Sequence, residues 1–163
     1  MKENEIVKFI GEPVVLRAAN GMEVIANAED VFSVIDTDFK ECSTEFGPGR
    51  KETPVQVCEV VKDSPFERVF TSLSSDLKKI CLTQHQIKMF CREYAERLRG
   101  DEYGTYILFE TVRGLSVATI LAYPKGPSGI FGRNFSLKIF KRYLKDERSI
   151  YSLGKPRIVV PVF

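Results

Sequence analysis

The chain has no tryptophan and one histidine, so any chemistry that needs an imidazole must use His85. Its four cysteines, Cys42, Cys58, Cys81 and Cys91, are irregularly spaced and form no C-x-x-C pair, which excludes a zinc ribbon or a thioredoxin-type dithiol. No apolar run approaches the ~18 residues of a membrane-spanning helix; even Leu115 to Tyr123 is interrupted by Ser116 and Thr119. The start, Met1-Lys2-Glu3-Asn4-Glu5, is acidic where a secretion leader needs basic residues before an apolar stretch. The expectation is a cytoplasmic protein with free thiols and no membrane partner. Phosphate-loop, dinucleotide, nucleophile-elbow and H-E-x-x-H patterns are absent, so no cofactor or metal is expected. With 11 Gly and 8 Pro in 163 residues, collagen-like and low-complexity chains are excluded as well.

What the chain does have is a polarity of charge. Its net charge of +2 combines −5 over residues 1–80 with +7 over residues 125–163. Such asymmetry points either to an anionic partner or to an acidic and a basic surface that face each other.

Several local signals are specific. Asn20-Gly21 between apolar runs predicts a hairpin of residues 14–19 with 22–26, because a type I′ turn needs positive φ at both central positions. Asn27 is positioned to cap a short helix that ends at Asp36-Thr37-Asp38. Residues 55–61 read as a strand, and Ser64-Pro65-Phe66-Glu67 as a capping box opening a helix. Thr83 and Gln86 form a second capping box, opening a long helix from Gln84 to Arg99 with Ile87, Phe90, Cys91, Tyr94 and Leu98 within ~100° of arc. Residues 103–110 and 115–123 read as a hairpin about Arg113-Gly114, and Phe135 to Phe140 alternates as a strand. Arg157 to Phe163 reads as a last strand, placed at an edge by Pro161.

The fold expected is therefore α+β: an N-terminal β-hairpin and short helix, central helices, and a C-terminal antiparallel sheet packed on the long helix. Residues 1–163 are expected to form one domain. Within it, an acidic lobe, 1–40, and a helical plus sheet lobe, 55–163, would be joined by a mobile loop over 41–54.

Two basic groupings stand out. Opposite the apolar stripe of the long helix, Lys88, Arg92 and Arg99 fall with His85 within ~60° of arc, a row suited to a phosphate backbone. In the last third, Arg133, Lys138, Lys141 and Arg142 are interleaved with aromatics. If Leu137 and Ile139 face the core, Lys138, Phe140 and Arg142 share the other face, and a Phe between two cations suits base stacking. The leading expectation is a non-enzymatic module binding RNA or single-stranded DNA through Lys88, Arg92, Arg99, Arg133, Lys138, Phe140, Lys141 and Arg142. A protein–protein adaptor meeting another protein chain is the first alternative. An enzyme using His85, with Cys81 four residues before it, is the second. A Cys-His-Cys metal cluster is excluded because Cys91 lies ~120° around the helix from His85. Carboxylate pairs such as Asp36/Asp38 or Asp101/Glu102 sit at element ends, where turn and cap chemistry explains them.

Overall fold

The computed structural model describes residues 5–42, 45–124, 135–145 and 149–162. In chain order these form β1 (Val7–Leu16), β2 (Val34–Ile35), α1 (Thr37–Cys42), β3 (Thr53–Val60), β4 (Ser64–Pro65), α2 (Phe66–Thr71), α3 (Gln84–Glu93), β5 (Asp101–Thr111), β6 (Gly114–Pro124), β7 (Phe135–Tyr143), β8 (Ser149–Ile150) and β9 (Arg157–Pro161), with short 3-10 turns between them. Strand takes 43% of the described residues and helix 25%, so the expected architecture of central helices under a C-terminal sheet is corrected. The frame is one mixed seven-stranded sheet in the order β1-β3-β9-β5-β6-β7-β2, and the helices are attachments to its faces. The β5/β9 and β2/β7 pairs are parallel; the others are antiparallel. β4 and β8 form a small separate pair.

The expected N-terminal hairpin does not form. β1 pairs with β3, well beyond the 22–26 segment, in the register Val7↔Val60 to Leu16↔Thr53. β3 offers Val55, Gln56, Val57 and Cys58 as a run buried on both faces, which makes it an interior strand; the 22–26 segment instead buries Val24, Ile25 and Ala26 around a 3-10 turn and leaves Met22 exposed. Asn20-Gly21 does turn the chain, with Gly21 at φ +78, but against residues 47 and 48 rather than into a second strand. The short helix is likewise displaced. Asp36 precedes α1 instead of ending a helix, its Oδ1 accepting from Asp38 N at 3.2 Å and its Oδ2 from Lys141 N at 3.0 Å. One carboxylate thus satisfies a free donor of the helix start and ties it to β7.

The Thr83–Gln86 capping box is present as read. The helix it opens ends at Glu93, not Arg99. Tyr94 leaves helical backbone at φ −130 and ψ 36, its hydroxyl donating to Val15 O at 3.2 Å, and Ala95–Arg97 tightens into a 3-10 turn that still buries Leu98. Ser64 starts a bridge rather than a cap, and α2 begins after Pro65 without a side-chain cap. β9 lies between β3 and β5 and so is no edge; Pro161 is tolerated because it closes the strand.

Both faces of the sheet are packed. On the first, Val55, Val57, Ile107, Phe109, Ala118, Ile120, Leu137, Ile139 and Val159 meet Ile87, Phe90 and Cys91 of α3 together with Leu16, Ile25, Phe32 and Phe39. Full burial of one such Phe or Ile contributes about 1.5–3 kcal/mol. On the second, Cys58, Val60, Leu108, Val117, Ile158 and Val160 meet Phe66, Val69 and Phe70 of α2, with Ile80 beside them. The second cluster fades out at Tyr106 and Leu115. The outer part of β6 and β7 on that face therefore belongs to neither core.

Candidate functional site

Alternation along β7 settles which side chains lie there. Leu137 and Ile139 are buried in the first core, so Lys138, Phe140 and Arg142 project from the second face, each half-buried. Register extends the surface across three strands. Phe140 lies opposite Thr119 of β6, and Thr119 opposite Tyr106 of β5. In the next rows Leu121 lies opposite Lys138, and Tyr123 opposite Ser136. The result is a shallow platform carrying Tyr106, Phe140 and Tyr123, with Thr119 recessed in the middle row.

Charge is laid directly on the rings. Lys138 Nζ sits 5.0 Å from the centroid of Tyr123, and the Arg142 guanidinium carbon 5.8 Å from that of Phe140. Both distances are within cation–π range, so each aromatic is pre-paired with a positive group. Tyr106 meets Phe66 of α2 edge-on at 5.2 Å, which anchors the inner end of the row, and burial pushes its phenol pKa up. Thr119 is 7% exposed and its Oγ1 makes no hydrogen bond among the described residues. A buried hydroxyl left without a partner costs free energy.

The other expected residues lie elsewhere. Lys141 projects from the opposite face, with Leu137 and Ile139, and Arg133 lies outside the described residues. Lys88 is buried at 6% exposure and pairs with Glu23 at 2.7 Å and Asp30 at 3.6 Å. Arg92 pairs with Asp30 at 2.7 Å. Arg99, beyond the end of α3, donates from Nε to Gly154 O at 2.8 Å and lies over Tyr103 at 5.2 Å. The helical row thus reads as a stitch between α3 and the acidic 21–30 segment. The hydrogen bond from Lys88, then the charges of Lys88, His85 and Arg92, hold the Glu23 carboxyl below its ordinary value against the opposing effect of burial. For Asp30 burial also works the other way, and the Lys88 charge and Arg92 hydrogen bond outweigh it.

His85 belongs to the same stitch. Its Nδ1 accepts from Gly21 N at 3.1 Å and its Nε2 bonds Glu23 Oε2 at 2.7 Å, so both ring nitrogens are engaged and the first-turn position is not solvent-exposed as its wheel angle suggested. Cys81 lines a cleft of about 280 Å³ with Arg50, Thr83 and Glu110, but its thiol donates to Leu77 O at 3.4 Å and burial pushes its pKa to about 12. A thiol of that kind is a poor nucleophile. Among the described residues no three His, Cys, Asp or Glu side chains converge as a metal site requires, and no helix is long and apolar enough to cross a membrane.

Sequence reasoning missed Tyr106, Thr119 and Tyr123. The signal for the first two was only partly in hand: a two-residue turn at Arg113-Gly114 would set Tyr106 opposite Leu121, whereas the turn falls one residue earlier, at Val112-Arg113, and sets Tyr106 opposite Thr119. No protein-family model, curated protein or solved structure matches the chain.

Proposed function

We propose that the protein binds single-stranded nucleic acid on the outer face of β5, β6 and β7. One observation carries the reading: Phe140 and Tyr123 share a sheet face outside both cores, with Lys138 over the Tyr123 ring and Arg142 over the Phe140 ring, while Tyr106, packed against the second core, closes the inner end of the row. Bases stack on aromatic faces whatever their identity, while adjacent cations neutralise phosphates and release counterions. The excess of +7 over residues 125–163 supplies a long-range attraction to the same partner. Duplex fits less well, because its bases are already stacked on one another.

The test is fluorescence anisotropy with labelled single-stranded RNA, single-stranded DNA and duplex of about 12 nucleotides at low and near-physiological salt. Binding that prefers single strands and persists near physiological salt supports the reading. Equal, weak binding of all three that vanishes with salt overturns it.

A second reading, a protein partner, is favoured by β1. It is an edge strand of ten residues, and Phe9 on it is 66% exposed, a combination that invites pairing with another strand. Salt-resistant self-association or co-purification of a partner would support that reading instead.

A further inference from the structure

Arginines gather where β1, β9 and the Ala95–Arg97 turn meet, on the sheet face opposite the aromatic platform. Arg157 opens β9, in register with Glu59 on one side and Thr105 on the other. Its Nη1 donates to the carbonyls of Arg97 at 2.8 Å and Leu98 at 3.4 Å. The other edge of the guanidinium, formed by Nε and Nη2, is the fork that grips an oxoanion with two parallel hydrogen bonds. That edge has no acceptor among the described residues: Nε is buried and unpartnered, and no hydrogen bond from Nη2 is present. Glu59, the nearest carboxylate by register, pairs with Lys8 at 3.8 Å and comes within ion-pair distance of no arginine among the described residues.

A cavity of about 290 Å³ opens at this point, lined by Ile10, Gly11, Val57, Glu96, Arg97 and Arg157. Its wall is built rather than incidental. The β1/β3 register breaks between Ile10 and Val14, and buried Gln56 holds the break by donating from Nε2 to the carbonyls of Ile10 at 3.0 Å and Gly11 at 3.2 Å. Bulges of this kind re-aim backbone beside functional cavities. Gly11 has φ +68, and a Cβ there would come within 2.9 Å of Arg97 Nη1, so the missing side chain leaves room for a guanidinium. Arg97 Nη1 donates to Glu12 O at 3.2 Å. Burial, then the charge of Arg99, with Arg97 adding to it and Glu59 opposing, makes Arg157 hold its proton less firmly than an ordinary arginine. Positive charge is therefore gathered here, opposed in part by Glu59 and by exposed Glu96, which also lines the cavity.

We infer that this cavity binds the phosphate group of a small phosphorylated ligand, held by the Arg157 guanidinium and flanked by Arg97. A dianion matches the surplus of arginines better than a carboxylate, which one guanidinium satisfies. The cavity and the nucleic-acid platform lie on opposite faces of the sheet, so either stands if the other fails.

The test is a titration of the ¹⁵N-labelled full chain, following the Arg157 Nε–Hε signal, with inorganic phosphate, acetate and chloride at matched ionic strength. The expected result is a saturable shift with phosphate, several-fold weaker affinity in Arg97→Gln, and no saturable shift with acetate or chloride. Arg157→Lys, which keeps the charge and loses the fork, lowers phosphate affinity roughly tenfold in calorimetry. If that variant does not fold, the wild-type and Arg97→Gln titrations still decide. A signal unmoved by phosphate into the tens of millimolar assigns the edge to water and overturns the inference. Equal shifts with all three anions overturn it too, and a preference for acetate overturns its ligand class.

Discussion

Phe140 lies directly across from Thr119, and the small Thr side chain is recessed beside the ring with its hydroxyl unpartnered. A flat aromatic on the sheet face beside so small a neighbour offers a stacking surface to a planar ligand. Phe140→Ala is therefore expected to weaken single-strand binding by about 1–3 kcal/mol, with Phe140→Tyr close to wild type. Anisotropy titrations of the two variants check this, with thermal unfolding alongside to show that both remain folded.

Lys138 and Arg142 act on the same ligand through charge. Replacing both with Gln removes two phosphate contacts, so the slope of log affinity against log salt should flatten by about 1.4. Their reversal to Glu should weaken binding further. Titrations across a series of salt concentrations measure the slope directly; an unchanged slope would take these two side chains out of the interface.

The stitch of Glu23, His85, Lys88, Asp30 and Arg92 makes a prediction about acid. Glu23 and Asp30 have carboxyls held below their ordinary values of 4.5 and 3.8 in the folded protein. Lowered carboxylates contribute stability that is fully present above those ordinary values and is lost as pH falls through the lower, folded ones. Urea unfolding midpoints should thus drop as pH is lowered from 5 towards 3, and a Glu23→Gln/Asp30→Asn variant should show a shallower fall. Parallel curves for the two proteins would contradict the assignment.

Much of the chain was legible from sequence where signals were local. The Thr83–Gln86 box, the β5/β6 hairpin and the alternation of Phe135 to Phe140 rest on neighbours in sequence; the box and the alternation formed where read, and the hairpin formed with its turn one residue earlier, at Val112-Arg113. What was not legible depends on distant partners. Asn20-Gly21 signals a turn but not its partner, and β3 outcompeted the 22–26 segment by offering a strand buried on both faces. The wheel angles of Lys88, Arg92 and Arg99 assumed one straight helix; the break at Tyr94 removed Arg99 from the row, and Glu23 and Asp30, some sixty residues away, met the other two. On β7 the faces of Lys138, Phe140 and Arg142 followed from alternation alone, but the register that brings Thr119 and Tyr123 beside them spans the 125–134 connection and could not be counted.

The helix cap offers a test of local stability. Thr83 Oγ1 accepts from Gln86 N at 3.1 Å, while the Gln86 side chain accepts from Thr83 N at 3.0 Å and donates to Thr53 Oγ1 at 3.0 Å. Thr83→Ala should cost about 1 kcal/mol, and Thr83→Ser much less. Denaturant titration resolves the difference.

Cys58 and Cys81 are buried with thiol pKa values pushed up to about 12. Both should resist alkylation at neutral pH in the native protein and react fully on unfolding, as located by peptide mass spectrometry. Rapid native labelling of Cys81 would reopen the reading of an enzyme that uses it with His85.

The most direct test of the proposed interface is ultraviolet crosslinking of the protein to single-stranded RNA, with the crosslinked residues located by mass spectrometry. The account predicts crosslinks at Tyr123 and Phe140, reduced in the Lys138→Glu/Arg142→Glu protein. Crosslinks confined to α3 and the 21–30 segment, with the platform unlabelled, would contradict it.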